Sequence, residues 1–97
     1  MSGFLDEVRA AALMDQGALV VDVRTPAEWA EGHAEASVLL PLQDLPARFA
    51  ELPQDRVLLM VCRSGARSEQ AKHFLLAQGF SEVHNLGPWQ RNPRHQG

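Results

Sequence analysis

The chain has 97 residues and a net charge of −3, which confines it to one domain around one core. Apolar residues make up 45% and charged residues 22%, an ordinary composition for a folded soluble domain. The acidic balance argues against a nucleic-acid binder, and no apolar run approaches the roughly 20 residues of a membrane span.

The elements follow in chain order. Leu5, Val8, Ala11 and Ala12 recur at helical spacing, with Gly17 as a C-terminal stop. Ala18 to Val21 reads as a buried strand ending at Asp22. Thr25, Pro26 and Glu28 together start a helix: an N-cap, a first-turn proline and the glutamate of a capping box. Gly32 ends it. Ser37 to Leu40 is a weaker strand, stopped by Pro41. Asp44 is expected to cap a helix with Leu45, Phe49 and Leu52 on its apolar face, closed by Pro53. A strand over Val57 to Val61 leads into a loop at Cys62, and a helical pattern runs from Ser68 to Gln78. That helix buries Ala71, Phe74 and Leu75, and ends at Gly79 with Phe80 placed for the contact of a Schellman cap. Glu82 to Asn85 is a short last strand.

Strands alternating with helices predict an α/β domain over residues 1–90, with a mainly parallel central sheet and helices on both faces. Residues 91–97 read as a loose polar tail. There are no repeats and no low-complexity segments. The N-terminus carries no basic segment followed by an apolar stretch, so a cytoplasmic protein is expected.

The chemistry concentrates at Cys62-Arg63-Ser64-Gly65-Ala66-Arg67-Ser68. Cys62 is the only cysteine, which excludes an internal disulfide and a cysteine-rich zinc site. It falls at the end of a buried strand, in a tight loop that opens into a helix. Backbone N–H groups converge at such a place and the helix dipole favours an anion there. The thiol is the group to become that anion, and these surroundings lower its pKa. In open α/β sheets ligands bind beyond the carboxyl ends of the strands, where both Asp22 and Cys62 fall. A merely structural cysteine would not call for Gly65, two flanking arginines and two serines. A phosphate cradle of the cysteine-phosphatase kind has five residues between cysteine and arginine. Only four, Arg63 to Ala66, stand between Cys62 and Arg67.

The chain resembles the single-domain rhodaneses, the thiosulfate:cyanide sulfurtransferase family, from about Leu19 to Trp89. The matching motifs are Val21-Asp22-Val23-Arg24 with Pro26 and Glu28-Trp29, then Gly32-His33, then Leu40-Pro41. The six-residue loop Cys62 to Arg67 with Ser68, and Val83-His84-Asn85-Leu86-Gly87, complete the set.

The resemblance implies that Cys62 attacks the sulfane sulfur of a small donor anion such as thiosulfate. A persulfide forms, and its sulfur passes to cyanide or a thiol. It implies substrate binding by Arg63, Ser64, Gly65, Ala66, Arg67 and Ser68, the arginines as positive groups and the amides facing the sulfur. Asp22 and Arg24 would support the loop. No cofactor, metal, nucleic acid or membrane is implied. A persulfide relay fed by a partner protein is the alternative role.

A thiolate needs no general base, so the four histidines are not assigned catalysis. His33 is expected to support its neighbouring loop, His73 to be exposed, and His84 and His95 to lack metal-binding spacing. Glu28 is explained by the capping box, and Trp29 and Trp89 are expected to pack. Three positions depart from the family pattern: Ala36 and Pro88 stand where glycines are usual, and Leu39 where an asparagine is. Alanine in place of glycine raises the question of strained backbone at Ala36. The helix often found after the last strand looks short or absent.

Overall fold

The structure, a computed structural model, describes residues 3–94. Four parallel strands form one sheet in the order β2-β1-β3-β4: β1 is Leu19–Asp22, β2 Val38–Leu39, β3 Leu58–Cys62 and β4 Val83–Pro88. Parallel strands need crossovers, and these pass through α2 (Pro26–Glu31), α3 (Leu45–Arg48) and α4 (Ala66–Ala77), while α1 (Glu7–Asp15) precedes β1.

The period-two alternation of the strands sorts their apolar side chains onto two faces. Val21, Leu58, Met60 and Cys62 join Leu45, Leu52, Ala71, Leu75 and Phe80 in a core under α3 and α4. Val20, Leu59 and Val61 face the other way, against Ala10 and Met14 of α1 and Leu86. The mainly parallel sheet with helices on both faces is as the sequence predicts. Both faces of β3 are covered, which is why all five of its residues are buried and why it reads as an unbroken apolar run.

The local signals act as expected at most boundaries. Asp6 caps α1 by accepting from the Val8 amide at 2.6 Å. Thr25 and Glu28 form the reciprocal capping box of α2. Gly79, at φ +100°, closes α4 in a Schellman cap: its amide bonds Leu76 O, and the Phe80 amide bonds Leu75 O.

Five expectations need correction. The residues α1 buries are Ala10 and Met14, whereas Val8 and Ala12 of the expected apolar set are exposed. The helix expected after Asp44 is a broken segment: a 3₁₀ turn (Leu42–Asp44), the short α3, then a second 3₁₀ turn (Phe49–Glu51). Asp44 makes no capping bond there. Pro46, which has no N–H to donate, sits within this short stretch. The helix expected to begin near Ser68 begins at Ala66, directly after Gly65 at φ +103°. The last strand runs on through Pro88, with a register shift against β3 after Met60 that pairs Val61 with Gly87. Residues 91–94, expected to be loose, are anchored. Arg91 donates to Leu86 O and Leu5 O, each at 2.7 Å, and Asn92 is buried and donates to Ala36 O at 3.1 Å. Residues 95–97, His95 among them, lie outside the described residues. Among the described residues after β4 the chain forms only a 3₁₀ turn, Trp89–Arg91. Among the described residues only glycines have positive φ, so Ala36 carries no such strain.

Candidate functional site

Cys62 is the last residue of β3, and Arg63 to Gly65 turn the chain directly into α4. The positive φ of Gly65 makes that turn possible and aims its N–H back at Cys62 Sγ, at 3.0 Å. The Ser68 amide, in the first turn of α4, donates to the same sulfur at 3.4 Å. The Ser68 hydroxyl lies 3.4 Å from it as well. Burial alone would push this thiol up. The Ser68 hydroxyl and the amides of Ser68, Gly65 and Ser64 outweigh burial, so the Cys62 pKa lies below its ordinary value. Of the loop amides expected to face the sulfur, those of Arg63, Ala66 and Arg67 make no such bond.

Asn85 of β4 completes the arrangement, a role that sequence reading missed. Its Oδ1 accepts from the Ser68 hydroxyl at 2.7 Å and from the Gly87 amide at 2.9 Å. Its Nδ2 donates to Gly65 O at 3.0 Å and to Glu69 Oε1 at 2.9 Å. A backbone donor and a backbone acceptor thus fix which way the amide faces. Ser68 has one hydroxyl proton. While that proton is given to Asn85, the sulfur must donate to Ser68 Oγ, so the arrangement fits a thiol. In the thiolate the hydroxyl turns toward sulfur, and Asn85 Oδ1 keeps its bond from Gly87.

The Phe4 ring rests on the backbone of both Gly65 and Gly87. A Cβ at Gly65 would lie 2.3 Å from Phe4 Cζ, and one at Gly87 2.8 Å from Phe4 Cδ2. The Leu5 amide donates to Asn85 O at 2.8 Å, which ties this N-terminal segment to β4.

The three arginines around the loop differ in what they can do. Arg24 is buried with Asp22: its Nε lies 3.0 Å from both carboxylate oxygens and its Nη2 2.8 Å from Oδ2. It also donates to Gly32 O and Glu28 O, and lies 4.6 Å from the ring centre of Trp89. This pair joins the end of β1 to the carbonyls of Glu28 within α2 and Gly32 just after it. Arg67 is paired with a carboxylate. Its two terminal nitrogens grip Glu28 Oε1 and Oε2 at 2.7 and 2.9 Å. Glu28 therefore does more than cap α2. The Arg67 fork, with the Thr25 amide, holds its carboxyl at about 2. Arg63 is exposed, and among the described residues nothing engages it. It lines a cleft of about 210 Å³ with Arg24, Glu28, Glu31, Gly32, Trp89 and Gln90.

Ser64 and Ala66 are exposed on the opposite flank, beside Phe4, Glu69 and Asn85. Cys62 itself is 0% exposed, beneath the turn from Arg63 to Gly65. His33 stacks on Trp29 with ring centres 3.6 Å apart and contacts its carbonyl, in keeping with a supporting role. His73 is exposed beside Glu69, and His84 pairs with Glu82.

Comparison with known proteins agrees with this geometry. The model of the Rhodanese-like domain matches residues 6–87. A sulfurtransferase of Allochromatium vinosum is 48% identical over 68 residues, 70% of this chain and 64% of that protein's length. Thiosulfate sulfurtransferase GlpE of Stutzerimonas stutzeri is 38% identical over 78 residues, 80% of this chain and 72% of that one. The putative sulfur carrier protein YrkF of Bacillus subtilis is 33% identical across 80% of this chain, which spans 42% of YrkF. The crystal structure of a rhodanese-related protein from Thermoplasma volcanium superposes with a TM-score of 0.73 at 30% identity, covering 86% of this chain and 85% of the other. By its sequence motifs, its fold and its relatives, the chain belongs to the rhodanese-like domain family.

Proposed function

We propose that the protein is a sulfurtransferase that carries sulfane sulfur on Cys62. The observation that carries this reading is the convergence of the Gly65 and Ser68 amides and the Ser68 hydroxyl on a sulfur whose pKa they lower. A sulfur so held ionises more readily than a free thiol, and the thiolate is the nucleophile. With thiosulfate as donor, the Cys62 thiolate attacks the outer sulfur. The new S–S bond forms as the old one breaks, and sulfite leaves with the bonding pair. Cys62 is left as a persulfide anion, facing the same donors. A thiophilic acceptor, cyanide or a thiol, then attacks the outer sulfur and restores the thiolate. The two half-reactions give ping-pong kinetics. Arg63 is the positive group free to meet an incoming donor, and the buried Asp22–Arg24 pair holds the floor of the site. Because the nucleophile must stay reduced, the proposal places the protein in a reducing compartment such as the cytoplasm.

A relay role, in which a partner protein supplies the persulfide, is favoured by one observation: Arg67 is occupied by Glu28. The resemblance to a putative sulfur carrier supports it as well. Steady-state thiocyanate formation from thiosulfate and cyanide tests the enzyme reading. Parallel double-reciprocal lines, and loss of turnover in Cys62→Ser, are expected. Turnover undiminished in Cys62→Ser would remove the cysteine from its role.

A further inference from the structure

The ion pair of Glu28 with Arg67 has a consequence for which donors the site accepts. Around the loop, two of the three arginines are committed, Arg24 to Asp22 and Arg67 to Glu28. A dianionic donor approaching the thiolate therefore has only Arg63, at the edge of the cleft, as an unengaged positive group to meet it. The fork of the two terminal Arg67 nitrogens, which could recognise an oxyanion group, is already filled by a carboxylate. That carboxylate is itself held in place, since Glu28 Oε1 accepts from the Thr25 amide at 3.0 Å and the Thr25 hydroxyl at 3.1 Å. Arg67 directly precedes Ser68, whose amide and hydroxyl each lie 3.4 Å from Cys62 Sγ.

We propose that Glu28 is a specificity-determining residue, which occupies Arg67 and biases the site against oxyanion donors and toward sulfane sulfur carried on a thiol. The inference rests on the sulfur-transfer reading above and names its donor class. A persulfide R–S–SH has no oxyanion to place in the fork. Cys62 thiolate attacks its terminal sulfur, the S–S bond of the donor breaks, and RS⁻ leaves with the electron pair. The product is Cys62–S–SH.

Glu28→Gln separates the two roles of this side chain. Glutamine keeps the capping box, because its carbonyl still accepts from Thr25, but it leaves Arg67 without its counter-charge. The first readout needs no sulfur transfer: the rates of Cys62 alkylation by anionic iodoacetate and neutral iodoacetamide. In the wild-type protein their ratio is expected to be no higher than for free cysteine in the same buffer. In Glu28→Gln it is expected to rise about fivefold or more at low salt, and less at high salt. In Glu28→Gln/Arg67→Gln the rise should disappear.

The second readout is donor preference. Glu28→Gln should lower KM for thiosulfate and leave kcat/KM for the persulfide of 2-mercaptoethanol within about twofold. A wild-type ratio several-fold above that of free cysteine would overturn the proposal without any variant. So would an unchanged ratio in a folded Glu28→Gln protein. If neither donor is turned over while the alkylation ratio shifts as expected, Glu28 keeps its electrostatic role and the sulfur-transfer reading is what fails.

Discussion

Asn85 accepts the Ser68 hydroxyl at 2.7 Å across 17 residues of chain, and this bond sets the direction of the proton between Ser68 and Cys62. Removing the hydroxyl takes away its donation to the thiolate, the largest of the effects that lower this pKa. In Ser68→Ala the pH midpoint of Cys62 alkylation should move up, because burial, which disfavours the charged form, is then less opposed. A midpoint at or below the wild-type value would contradict the assigned role of the hydroxyl.

Gly65 joins two constraints, and of the two glycines under Phe4 it is the more tightly held. Its φ is +103°, and a Cβ there would lie 2.3 Å from the Phe4 ring. Gly65→Ala should destabilise by about 1–3 kcal/mol from backbone strain alone, and by more with Phe4 present. In a Phe4→Ala background the penalty should shrink without vanishing, because the clash goes and the φ remains. Urea unfolding of the four proteins measures this coupling. Equal penalties in both backgrounds would mean that Phe4 does not bear on the loop.

The buried Asp22–Arg24 pair predicts an asymmetric response. Asp22→Ala strands a buried guanidinium and should cost about 3–5 kcal/mol. A drop in the thermal midpoint with loss of activity is expected. Substitution of the exposed Glu31 should leave stability nearly unchanged, and a comparable loss there would argue against the pair as the floor of the site.

Glu28 also predicts a pH dependence of stability. Its carboxyl is lowered from 4.5 to about 2, chiefly by the Arg67 hydrogen bonds and then by the Thr25 amide. A group with a depressed folded pKa adds stability that is fully present above its unfolded value and is lost as pH falls through the folded one. The contribution should therefore be present above pH 4.5 and fade toward pH 2. The pair is partly solvated, with side-chain exposures of 33% for Arg67 and 23% for Glu28, so screening limits it to about 1 kcal/mol. Glu28→Gln should flatten that part of the stability profile, and an unaltered acid limb would contradict the assignment.

The parts of the molecule legible in the sequence are those written in local pattern. β3 announces itself because both its faces are buried, and Thr25, Pro26 and Glu28 mark α2 because capping is a contact between near neighbours. The cysteine loop is legible for the same reason: strand, glycine and helix start follow one another directly. What escaped reading is tertiary. Asn85 reaches Ser68 because β4 pairs with β3, which sets Asn85 beside Met60. Glu28 meets Arg67 across 39 residues, and its capping role had already explained the residue. The segment from Leu42 to Glu51 has helical spacing, yet Pro46 and the packing of Leu45 and Leu52 leave it as short turns. The anchoring of Arg91 and Asn92 depends on carbonyls of Leu5, Leu86 and Ala36, which no local composition reveals.

The most direct test of the central claim is the intact mass of the protein after incubation with thiosulfate, or with a thiol persulfide, and again after cyanide. The account predicts a gain of one sulfur atom, absent in Cys62→Ser, and its removal by cyanide with thiocyanate released. A folded protein with a titratable Cys62 thiol that gains no sulfur from either donor would contradict the claim that Cys62 is a sulfur carrier.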